Sequence, residues 1–180
     1  ESKINEISQV IAKYIKLKEY TLTYLKNGTK DRNEYIKWII ALAASDIEER
    51  LGTSKIDQTV VSNMYEVLIQ DIRLSEDSVY KKDKEIQIYL GIHRSFLKFD
   101  RDRLSFIVFK YYHTNWQKPS DDEIRSIARN IVKINEDINA QIDHPLAKQL
   151  NRIISRYTVF FTILTDVIDD DPKDVYDKFR

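Results

Sequence analysis

Two arginines, Arg101 and Arg103, interrupt the most apolar and aromatic run of the chain, FLKFDRDRLSFIVFKYY at residues 96–112. A guanidinium is always charged, and its planar fork pairs with carboxylates or phosphates more specifically than an ammonium does. Burying one without a partner is costly, so each must meet a carboxylate, the carbonyls of a helix end or another chain. Two readings follow. Either the arginines sit at the edge of an apolar stripe with packed stems and hydrated heads, or they bond across a subunit interface.

Other chemistry-bearing residues are sparse. The three histidines, His93, His113 and His144, are far apart in sequence and none has a ligand partner one helical turn away, so no metal site is expected. His93 falls on an apolar stripe and reads as a core histidine bonded to a backbone carbonyl. His144, before Pro145, reads as a cap. The carboxylate runs DIEER and DDD are solvated faces rather than an acid and base held in one cleft. There is no GxSxG, no phosphate loop and no cysteine, and three glycines leave little from which to build a phosphate cradle. No cofactor and no catalytic activity are expected; an enzyme would have to assemble scattered carboxylates around a metal in a bundle core.

Charge and composition narrow the class further. Lys+Arg and Asp+Glu each number 29 in 180 residues, so no global field favours a polyanion. A cysteine-free chain suits a reducing compartment, and the cytoplasm is the expected location. The opening ESKINEISQV lacks a basic-then-apolar leader, and no apolar stretch reaches the roughly 18 residues of a membrane span, so neither export nor membrane insertion is expected.

The elements that must position these residues read as helices. Three glycines and three prolines leave few breakers. The first helix places Ile4, Ile7, Ile11 and Tyr14 on one face, with Val10, Leu17 and Tyr24 beside it, and stops at Gly28. A second starts at Asp31 with Glu34 as its capping-box partner, runs to Leu51-Gly52 and uses Trp38 to anchor itself to the first. A third starts at Asp57. Residues 74–85 are a loop or a solvated first turn. The fourth runs unbroken from about Lys84 to about Tyr112, with Ile86, Leu90, His93, Leu97, Arg101, Leu104, Val108 and Tyr111 on one stripe. A parallel stripe carries Ile92, Phe96, Phe99, Arg103 and Phe106. Ser120 and Glu123 form the clearest capping box in the chain, opening a fifth helix whose isoleucines recur from Ile124 to Ile142 at heptad-like spacing.

A sixth helix follows Pro145, although RYTVFFTILTDVI is rich enough in β-branched and aromatic residues for a short strand over 157–165. Asp171 and Pro172 look like a further helix start. The expected fold is all-α, a bundle of five to seven antiparallel helices. Residues 1–142 form its helical domain, and 143–180 a helical extension or small appendage.

The stretch KEIQIYLGIHRSFLKFDRDRLSFIVFKYYHTN, followed by PSDDEIRSIARNI, resembles the helical domain of GINS subunits, scaffold proteins of DNA replication. The shared features are a long helix with an R-x-R-L element, here Arg101, Arg103 and Leu104, and then a helix opened by a Ser-acidic cap, here Ser120 to Glu123. The likeness spans about residues 46–142. It implies a non-catalytic subunit that assembles through long helices and couples a replicative helicase to a RecJ-like partner. The interface would be formed by Arg101, Arg103, Leu104, Phe96, Phe99, Phe106 and Tyr111, in a homo- or hetero-oligomer.

The alternative is a small DNA- or RNA-binding helical module of a mobile element. It would use Lys81, Lys82, Lys84, His93, Arg94, Lys98, Arg101, Arg103 and Lys110, with Tyr111, Tyr112 and Trp116 as stacking groups. These cations spread around the helix, so nucleic acid is a secondary partner in this reading.

Overall fold

The computed structural model describes residues 2–25, 32–52 and 55–170. Among them every long element is an α-helix and no strand occurs: α1 Ser2–Tyr24, α2 Arg32–Gly52, α3 Lys55–Asp71, α4 Lys84–Ser95, α5 Arg101–Tyr112, α6 Asp121–Arg129, α7 Ile131–Ile142 and α8 Ala147–Asp170. Short 3₁₀ turns at Lys81–Asp83 and Thr114–Gln117 lead into α4 and follow α5. The all-α expectation holds, with eight α-helices in the described residues because two of the expected ones are each divided. The expected caps at Gly28, Asp31 and Asp171 lie outside the described residues.

The unbroken helix over 84–112 is the main correction. Lys98 adopts φ 57, the left-handed region that ends helices and is usually filled by glycine or asparagine. The Phe99 N–H then reaches back to the His93 carbonyl at 3.1 Å. Asp100 is extended, at φ −75 and ψ −179, and its side chain accepts from the Arg103 N–H at 2.9 Å, so a new helix starts there. The expected helix over 120–142 is likewise divided at Asn130. The Asn130 Nδ2 donates to the Ser126 carbonyl at 2.9 Å, the local side-chain competition that asparagine is suited to. Asp57, expected as a cap, lies within the first turn of α3.

Residues 157–165 are helical. Their threonines are accommodated by back-bonding: Thr158 Oγ1 donates to the Ser155 carbonyl and Thr162 Oγ1 to that of Thr158, both at 2.8 Å.

The chain forms two compact units, Glu1–Thr53 with Asp100–Asp143, and Ser54–Phe99 with His144–Arg180. The chain thus passes between units at 53/54, 99/100 and 143/144, whereas the sequence suggested one division near 142. In the first unit α1 packs on α2 and α6, α2 on α5, and α5 on α7. Its centre holds Leu17, Ile39, Leu42, Phe106, Phe109 and Ile138, all essentially inaccessible. Trp38, expected to anchor α2 to α1, ties α2 to α5: its Nε1 donates to Ser105 Oγ at 2.7 Å and its ring meets Phe109 edge-on.

In the second unit α4 packs on α3 and α8 around Met64, Leu68, Ile88, Ile92, Leu150 and Ile154. His93 takes the expected core place, its Nδ1 lying 2.8 Å from the Tyr89 carbonyl. His144 Nδ1 accepts from the Leu146 N–H at 3.2 Å, and its Nε2 lies 3.5 Å from Asp83, which ties the start of α8 to the 3₁₀ turn before α4.

α4 and α8 pack tightly at Gly91, where a Cβ would run into the terminal methyl of the wholly buried Ile154. Gly91→Val therefore lowers the stability of the second unit by about 1–3 kcal/mol, read from the urea midpoint, because the ledge it fills is already occupied.

Candidate functional sites

The arginines that stood out in the sequence are held within the first unit. Both lie in the first turn of α5, where the helix restart places them beside the core-facing Leu104 instead of on a continuous stripe. Arg101 forks onto Asp143, with both N···O distances 2.8 Å, and its Nη2 also donates to Asn139 Oδ1 at 2.7 Å. Arg103 Nη1 pairs with Glu48 Oε2 at 2.6 Å. These pairs tie α5 to α7 and to α2.

The other expected interface residues divide as follows. Leu104 and Phe106 are buried in the first unit's core and offer no surface to a partner. Tyr111 is exposed on α5 and meets Tyr112 edge-on. Phe96 and Phe99 belong to the second unit, Phe96 half-buried against its core and Phe99 with its ring against His93.

Several groups of the nucleic-acid reading are also engaged inside the units. Lys84 Nζ donates to the Ile69 carbonyl at 2.7 Å, Lys110 Nζ pairs with Glu49 at 2.6 Å, and His93 and Trp116 are buried.

A polar cluster that sequence reading missed lies inside the first unit. Lys13 Nζ sits 2.7 Å from Asp46 Oδ2, with the two side chains 8% and 4% exposed. It also donates to the Trp116 carbonyl at 2.9 Å and lies near the faces of Tyr14 and Trp116. Trp116 Nε1 donates to the Tyr14 hydroxyl at 2.8 Å, and Arg50 Nε donates to Asp46 Oδ1 at 2.9 Å. Burial pushes Lys13 below the usual lysine range even though its bond to Asp46 works the other way. Burial likewise holds the Tyr14 phenol well above its ordinary value. An ammonium with its hydrogens committed to a carboxylate and a carbonyl is a packing device and a poor nucleophile. The cluster borders a cleft of about 530 Å³ that also includes Glu6, Gln9 and Lys118.

A second cleft, of about 450 Å³, opens at the end of α5 between the 3₁₀ turn and α6–α7; His113, Asn115, Glu123, Asn130, Lys133 and Asp137 line it. Burial lowers the pKa of His113, favouring its neutral form. Glu123 is held below the ordinary carboxylate range, chiefly by the Ser120 backbone N–H at 2.7 Å and also by Asn115 Nδ2 at 3.1 Å. This carboxylate completes the capping box read from the sequence, so it is an ionised acceptor rather than a proton donor. Among the described residues no group of three or more His, Asp or Glu is placed to hold a metal ion.

Two helix faces carry more apolar surface than the units use. On α1, Ile4, Ile11 and Ile15 point outward while Val10, Tyr14 and Leu17 are buried, so the single expected face is two separate stripes. On α8, Val159, Phe160 and Ile163 are 59%, 68% and 51% exposed. Phe160 therefore lies on the outer side of α8, away from the buried Leu150 and Ile154.

No family model matches the chain, and neither a curated protein nor a solved structure does. Among the described residues no helix is long and apolar enough to cross a membrane.

Proposed function

We propose that the chain is a non-catalytic assembly protein that acts through helix-to-helix contacts, in the cytoplasmic setting its lack of cysteine suits. The carrying observation is the outer face of α8, where Val159, Phe160 and Ile163 stand together in solvent. Single exposed apolar residues are ordinary, but adjacent large ones on one helix face mark a docking surface. In the two clefts Lys13, Arg50 and Glu123 are spent on structural bonds, which favours binding over turnover.

Light scattering coupled to size exclusion tests this reading. The expected result is a mass above that of the monomer at micromolar concentration, or a defined complex with a purified partner. A strict monomer that forms no complex overturns it. The likeness to GINS subunits supplies a replication setting for the proposal, and a purified replicative helicase is the partner to try first.

A nucleic-acid reading has one observation in its favour: Lys148, Arg152 and Arg156 precede Phe160 on the outer side of α8. It requires oligonucleotide binding that weakens steeply with salt, measured by fluorescence anisotropy.

A further inference from the structure

Charge is unevenly shared where the Lys13 cluster borders its cleft in the first unit. Lys13 and Arg50, with side chains 8% and 27% exposed, both pair with Asp46. Among the described residues neither has a second carboxylate within ion-pair distance. Two cations therefore share one carboxylate, and a partly desolvated positive charge is left over. Such a charge is costly unless a counter-ion reaches it. Burial chiefly, and after it the repulsion of Arg50 and Lys110, lowers the Lys13 pKa against the pull of Asp46, in keeping with that local excess.

Arg50 also has donors to spare. Asp46 takes it at Nε, while Nη1 and Nη2 bond none of the described residues. That free end is the fork that matches two oxygens of one oxyanion, and the bond to Asp46 holds its plane. Arg50 lines the cleft together with Gln9 of α1 and with Gln117 and Lys118 at the end of the 3₁₀ turn. Those three side chains are exposed and make no bond among the described residues. Donors thus reach the cleft from α1, from the end of α2 and from the turn. A flat carboxylate meets donors in one plane, whereas a tetrahedral phosphate presents oxygens on several sides. At about 530 Å³ the cleft falls in the size range of small-molecule sites, so a phosphate leaves room for an attached group.

We propose that this cleft binds a phosphate group, free or carried by a small ester. Arg50 supplies the fork, Lys118 the cation at the rim, and Gln9 and Gln117 the neutral donors. Glu6, which also lines the cleft, opposes the anion and tempers its affinity. The site goes beyond the assembly reading and does not involve α8, so a monomer that binds phosphate leaves it standing.

Isothermal titration calorimetry of the full chain tests it, with inorganic phosphate, glycerol phosphate and acetate as probes and the ionic strength held constant with sodium chloride. Both phosphates bind saturably at one site, and acetate binds far more weakly. A tighter glycerol phosphate identifies an ester as the ligand, and equal affinities identify free phosphate. Lys118→Gln raises the Kd about twofold to fivefold, and Glu6→Gln lowers it by a similar factor. Arg50→Lys keeps the charge but loses the fork, and raises the Kd about tenfold or more. Glu6 and Lys118 are exposed, so their variants keep the wild-type circular dichroism and remain informative even where Arg50→Lys weakens the fold.

Absence of saturable phosphate binding overturns the proposal. So does a Kd indifferent to both Lys118→Gln and Glu6→Gln, which places any bound phosphate elsewhere. Acetate that binds as tightly as phosphate overturns the choice of anion.

Discussion

Asp46→Ala lowers the free energy of unfolding by about 3–5 kcal/mol in urea denaturation at neutral pH, because it leaves a lysine buried without its counter-charge. In the native chain Asp46 receives Lys13 at 2.7 Å and Arg50 at 2.9 Å, and its side chain is only 4% exposed. Replacing both partners is a different experiment. Lys13→Met with Asp46→Leu recovers most of the loss, since removing the pair also removes the desolvation of two charges.

The pH dependence has a definite sign. Burial sets the folded-state pKa of Lys13 below its unfolded value, so the unfolded chain binds more protons between the two. This term disfavours folding below the folded pKa and disappears as pH rises through the window up to the ordinary lysine value. Stability in Asp46→Ala therefore climbs more steeply with alkaline pH than in the wild type, because the Asp46 contributions that raise the Lys13 pKa are gone. A stability profile that is flat, or falls, between neutral pH and the lysine range in this variant refutes the account.

Trp116→Ala has a comparable effect, about 3–5 kcal/mol. The ring is 2% exposed and stands edge-on to Phe109 and Tyr14, with centroids 5.0 and 5.3 Å away. Trp116→Phe keeps most of that packing and loses the Nε1 bond to Tyr14, for a cost of about 1–2 kcal/mol. Because Lys13 pairs with Asp46 and also lies against the Trp116 ring, the Asp46→Ala and Trp116→Ala losses are not additive. A double-mutant cycle gives a coupling of about 0.5–3 kcal/mol, and a cycle that closes at zero shows the two sites to be independent.

Local chemistry was legible where a few adjacent residues determine the outcome. Ser120 and Glu123 read as a capping box and form one, and His93 and His144 take the core and cap places that their surroundings suggested. The break at 96–100 escaped because apolar periodicity continues through it and the left-handed residue is Lys98, which carries no breaker signal. Its only local sign was Asp100, a capping residue three positions before Arg103.

The Lys13–Asp46–Trp116 cluster escaped for another reason: Trp116 is 103 residues from Lys13, and nothing in the spacing joins them. A cation in register with Val10, Leu17 and Thr21 was the available clue, the same kind of anomaly that drew attention to Arg101. On α1 and α8 the three-four spacing predicted helices correctly, but it did not say which of two stripes the core would take.

The interleaving of the two units constrains how the chain folds. Residues 54–99 form a loop within the first unit, and residues 100–143 a loop within the second. Neither unit can close until its intervening segment has returned, so each bears the entropy of tethering a long loop. Folding the intervening segment fixes the separation of its ends and removes much of that cost. Each unit therefore lowers the entropic barrier to the other through connectivity alone, and cleavage of the chain at 99/100, which turns both loop closures into the joining of two fragments, makes each unit depend still more on the other.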